Sequence, residues 1–187
     1  MCAFSRPAAA VAPWTRRSWA LVACLGLMAP IGAAPAVEEP ELKAAIVFNL
    51  LLFIEWPPGR EPSQSNPLAL CVRSGSPLQA PLERLSGRTV RNAPFEVRVL
   101  GPAAAAVGCH ALYTDGDAPE RAWMARVADT ARAVVIADDT SQANDATSVQ
   151  LRRLERKLGF DINMPALRAA GVQVSSKLLR LARVIQE

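Results

Sequence analysis

The chain has 187 residues, 51% of them hydrophobic and 20% charged, and a formal net charge of +4. Arg6, Arg16 and Arg17 lie in the first 36 residues, so without that segment the charge falls to +1. No basic patch then remains for a nucleic acid, and the 151 residues left are about one domain's length, enough to bury a sizeable core.

The N-terminus has no acid before Glu38, runs apolar over residues 19–31 and then reads Ala34-Pro35-Ala36. Basic start, apolar middle and A-x-A end together predict a signal peptide, residues 1–36, cleaved to leave a single domain over 37–187. The apolar run is shorter than the ~20 residues that span a bilayer, and Pro30 interrupts it. "TRRSW" is only a faint twin-arginine signal, and "LVAC" has too few apolar residues before Cys24 for a lipoprotein box. Loss of the leader removes Cys2 and Cys24 and carries Cys71 and Cys109 into an oxidising compartment.

Acidic residues at 38, 39 and 41 precede an apolar stretch over 44–54 that is broken only by Asn49, and Pro57-Pro58 closes it. That pattern predicts a helix apolar all round, buried on several sides in the domain or against a partner. Residues 59–67 form a polar loop. "LALCV" (68–72) is a short strand, 78–85 an amphipathic segment with Leu78, Leu82 and Leu85 on one face, and "FEVRVL" (95–100) an alternating strand. "CHALYT" (109–114) is the next strand, 118–129 a helix with Trp123 and Val127 on one side, and "AVVIAD" (133–138) an apolar strand of the sort buried in a parallel sheet. "SVQLRRL" and "KLGFDIN" read as an antiparallel hairpin turning at Glu155-Arg156, and 164–171 as a helix with Pro165 in its first turn and Gly171 at its stop. A last helix begins at Ser175, buries Leu178, Leu179, Ala182 and Ile185, and turns Lys177, Arg180 and Arg183 outward. The fold class expected is α/β: one layered, mostly parallel sheet with a C-terminal antiparallel hairpin and helices on both faces.

Catalytic signatures are scarce. His110 is the only histidine, and its neighbour Cys109 points to the opposite face if both lie in a strand. A Cys71–His110 dyad lacks any nucleophile or oxyanion signature. Cys71, Cys109 and His110 supply three zinc ligands of four, without C-x-x-C spacing, and "SGSP" after the first strand lacks the glycines of a dinucleotide loop. No enzyme, metal or cofactor is expected. The two mature cysteines predict a Cys71–Cys109 disulfide, which closes a loop of about 39 residues and contributes roughly 4 kcal/mol, with two buried thiols as the alternative.

These segments add up to a resemblance. "LKAAIVFNLLLFIEWPP" (42–58), "LALCV", "GCHALY", "GFDIN" and "VSSKLLRLARV" stand in the order and spacing of the YfiR family of periplasmic proteins. The resemblance implies a mixed α/β domain, often a homodimer, with Cys71 and Cys109 on the family's paired positions. It further implies a repressor that binds the periplasmic domain of a membrane-bound diguanylate cyclase. An outer-membrane lipoprotein related to OmpA sequesters it, and the output is lower cyclic-di-GMP synthesis and less biofilm matrix. The chain departs from the family at "SQANDATSV" (141–149), where a Gly-Gly segment is usual, and it lacks a second cysteine pair found in the best-known member. A partner contact is expected at Trp56, Glu55, Leu178 and Leu179. The alternative is a small-ligand site at the C-terminal edge of the sheet, near Ser74, Gly75 and Asp138.

Overall fold

The computed structural model describes residues 38–101, 106–116, 118–139, 145–155 and 157–187. The expected leader, most of the 103–106 alanine run, Arg156 and residues 141–144 of the departing loop lie outside them.

Helix α1 (Glu39–Leu51) starts where the sequence favours it, with Pro40 in its first turn and Glu39 and Glu41 at its positive end. Strands β1 (Ile54–Glu55) and β2 (Leu68–Arg73) follow, then α2 (Gln79–Glu83), β3 (Thr89–Val90) and β4 (Ala93–Leu100). The chain continues through β5 (Ala111–Thr114), α3 (Ala118–Ala131), β6 (Val134–Ala137), β7 (Val149–Leu154) and β8 (Lys157–Asn163). It ends in α4 (Met164–Ala169), β9 (Gln173–Val174), α5 (Ser176–Leu181) and β10 (Ile185–Gln186). None of the described helices is long and apolar enough to cross a membrane.

The main sheet runs β10-β8-β7-β6-β5-β2-β4-β3. Neighbours from β4 to β7 are parallel, whereas β7 and β8 form the antiparallel hairpin. The parallel part has the strand order of flavodoxin-type open sheets, whose ligands bind at the carboxyl ends of the strands where the winding reverses, here between β2 and β5. Strands β1 and β9 pair apart from the main sheet.

Side chains alternate between two apolar layers, as strand geometry requires. Leu68, Leu70 and Val72 of β2, Tyr113 of β5 and Ile136 of β6 meet α1, α2, α4 and α5 on one face. Cys71, Leu112 and Val135 face the other way, toward Met124 and Ala128 of α3. The mixed, mostly parallel α/β class read from the sequence is the fold observed. Cys71 and Cys109 are disulfide-bonded, their α-carbons 5.9 Å apart, so the bridge ties β2 to the entry of its neighbour β5.

Three local readings need correction. Strand β5 starts at Ala111, because a turn at Val107 and Gly108, the latter at φ 77°, still shapes Cys109. Helix α1 stops at Leu51, and Ile54 pairs instead with Val174. The last helix ends at Leu181 rather than burying Ile185, which is 41% exposed. Arg183 ion-pairs with Asp161 on β8, its N–H donates to Phe160 O, and Ile162 N–H donates to Val184 O. Those bonds draw the chain into β10, so pairing outweighs helical periodicity. Ser175 does cap α5, its hydroxyl accepting from Leu178 N–H.

Candidate functional site

The residues expected to contact a partner lie on two segments that the fold pairs. Strand β1 carries Glu55 and leads into Trp56, while its partner β9 leads directly into α5 with Leu178 and Leu179. The Ser175 N–H donates to Phe53 O at 3.0 Å and fastens the two segments. Glu55 is exposed and Leu179 half-buried, whereas Trp56 (7% exposed) and Leu178 (1%) lie in the core. The last two are therefore core residues, and only Glu55 and Leu179 offer side-chain surface to a partner.

Trp56 leans edge-on against His110, ring centres 5.7 Å apart. Its buried indole N–H has no hydrogen-bond acceptor among the described residues. Beside it, a cavity of about 270 Å³ is lined by Glu55, Trp56, Glu61, Arg91 and Asn92, among others. Arg91 sits at the tip of the β3–β4 hairpin at φ 56°, a left-handed conformation uncommon for a non-glycine residue, and ion-pairs with Glu55 at 3.2 Å. Buried donors without a partner are rare and costly.

His110 is structural. Its Nδ1 accepts from Ala69 N–H at 3.1 Å, which leaves the proton on Nε2 to be donated to Arg60 O at 3.2 Å. Burial lowers its pKa, and the bond to Arg60 O opposes this only in part. Cys109 points away to the disulfide, so the adjacent pair forms no dyad.

The alternative ligand residues sit at the carboxyl ends of the strands, but apart. Ser74 and Gly75 are exposed just beyond β2, and Asp138 is buried just beyond β6, with β5 between. The neighbouring polar groups are already engaged. Ser76 Oγ donates to Asp115 at 2.5 Å, and Arg73 ion-pairs with Glu120. Lys43, reaching from α1 and only 5% exposed, places Nζ 2.7 Å from both Asp138 and Asp139 and 3.0 Å from Glu39. Arg153 closes the cluster on Glu39 and Asp139.

Sequence reasoning missed this cluster, although "KAA" and "DD" held its two halves. A lysine in an otherwise apolar helix was the available signal, since a buried ammonium demands counter-charges. Burial alone would depress the Lys43 pKa, but its hydrogen bonds to Asp138, Asp139 and Glu39 outweigh that and raise it. Burial raises Asp138. Asp139 is desolvated too, yet Lys43 and its other partners hold it down at about 2. Among the described residues, no three His, Cys, Asp or Glu side chains are placed to share a metal ion.

The class defined so far is an α/β domain with a disulfide across its central strands and its interior charges neutralised within the fold. A family model described as YfiR/HmsC-like matches residues 40–183. The chain belongs to the YfiR/HmsC-like family. A search of curated proteins finds no match.

Proposed function

We propose that the protein is an exported regulator. After loss of residues 1–36, the domain over 37–187 binds the periplasmic part of a membrane-bound diguanylate cyclase, holds it inactive and so lowers cyclic-di-GMP synthesis. The observation that carries this reading is the family membership over nearly the whole of that domain. The contact surface is centred on Glu55 and Leu179, with Trp56 and Leu178 beneath them. Its support is the buried Trp56 N–H without an acceptor beside an open cavity, since a carbonyl from a partner would supply one. The domain works as a homodimer, and an OmpA-like outer-membrane lipoprotein relieves the repression by competing for it.

The test is a pull-down from detergent-solubilised membranes with the tagged, oxidised protein, read by mass spectrometry. Recovery of a diguanylate cyclase, lost with Leu179→Asp, supports the reading. A folded bait that retains no cyclase from membranes shown to contain one overturns it. In that case the second reading, a small ligand near Ser74, Gly75 and Asp138, gains from the position of Ser74 and Gly75 where the sheet's winding reverses.

A further inference from the structure

A groove of about 530 Å³ runs along α3, remote from the charges at the carboxyl end of the sheet. One wall is the helical stripe Trp123, Val127 and Ala131, each four residues after the last, and the other is Ala106, Val107 and Gly108. We propose that this groove binds a small amphiphilic anion, an alkyl or aryl carboxylate, with its apolar body against Trp123 and Val127 and its charge on Arg126.

The loop wall is held in place. Cys109 is bonded to Cys71, Cys109 N–H donates to Ala106 O at 3.2 Å, and Arg98 Nη1 donates to Gly108 O at 3.3 Å. Gly108 has φ 77°, a left-handed conformation that favours glycine, whereas a β-carbon there would meet only the flexible end of Arg98. On this anchored loop Val107 is 83% exposed, an apolar side chain kept in water beside an apolar trough. Arg126 supplies the charge. It is exposed and, like Arg88, Arg168 and Arg180, has no carboxylate pair among the described residues, and no acid lines the groove. An apolar trough of this volume with a single unneutralised cation matches the usual make-up of small-molecule sites and selects for a negative head group.

Decanoate is the probe and decan-1-ol its uncharged control, titrated into the intact protein by calorimetry and by tryptophan fluorescence. The expected result is saturable one-to-one binding of decanoate. Arg126→Gln weakens it about tenfold without changing decanol binding, and Val127→Trp, which fills the trough, abolishes both. Val107→Asp, at a position too exposed to affect folding, also weakens both. Absence of saturable decanoate binding, or equal decanoate binding by wild type and all three variants, overturns the proposal. So does a change of oligomeric state in Val107→Asp without decanoate binding, which would assign the groove to a second copy of the chain. The titration contains no partner protein, so its result is independent of the cyclase contact.

Discussion

The backbone N–H of Ala69 donates to Nδ1 of His110, 41 residues away, and so fixes the imidazole as a neutral ring. Because burial lowers the folded-state pKa, the unfolded chain binds a proton near pH 6.5 before the folded one does. The stability due to neutral His110 is therefore complete above about pH 6.5 and is lost as pH falls toward the lower folded value. The melting temperature should drop between pH 7.5 and 5.5, corresponding to uptake of up to about one proton. His110→Gln should melt lower at pH 7.5 but with a flatter profile. An equally steep profile in that variant would place the titration elsewhere.

Lys43 stands between three carboxylates, and its removal leaves like charges facing one another. Lys43→Met should cost about 3 kcal/mol in denaturant unfolding, since deleting one partner strands buried charge. Adding Asp138→Asn should recover part of the loss, and a purely additive double mutant would show that the groups are not coupled. Asp139, held at about pKa 2, contributes stability that is present above the ordinary carboxylate value near 3.8 and lost as pH falls toward 2. In Lys43→Met that acid-dependent loss should largely vanish, so its stability deficit relative to wild type should shrink as pH falls from about 4 toward 2.

The bridge between Cys71 and Cys109 spans 38 positions. Cys71→Ser with Cys109→Ser should lower unfolding stability by roughly 4 kcal/mol, and reductant should destabilise wild type but not the double variant. A reductant-insensitive wild type would mean that the bond contributes little.

Trp56 and Glu55 should respond differently. Trp56→Ala empties a core position and should cost about 3 kcal/mol. Glu55→Lys breaks only a half-exposed pair with Arg91 and should leave the midpoint nearly unchanged while weakening capture of the cyclase. Weakened capture by Glu55→Lys with an unchanged midpoint separates contact from support; full capture would remove Glu55 from the contact.

The legible parts of this fold were those with strong local patterns. "LALCV" and "AVVIAD" are apolar because both faces of β2 and β6 are covered, and Glu155 marks the hairpin turn at φ 46°. What stayed hidden depended on distant partners. The two-residue strands β1 and β9 leave no periodic trace, and β10 exists because Asp161 waits for Arg183. The Lys43 cluster joins residues 96 positions apart, and the groove on α3 needs a disulfide-pinned loop as its second wall. Neither can be inferred from spacing along the chain.

Helix α1 is greasy on nearly every side, with Leu42 still 43% exposed on its outer face. Such a rod carries little information about its own rotation or axial position, because several settings would bury similar area. Lys43 works as a key in a lock. Sliding the helix by one turn would bring Val47 or Glu39 to the carboxylates, and rotating it would strand an ammonium in hydrocarbon. One charged side chain thus selects a single seating for a helix whose other residues would accept many.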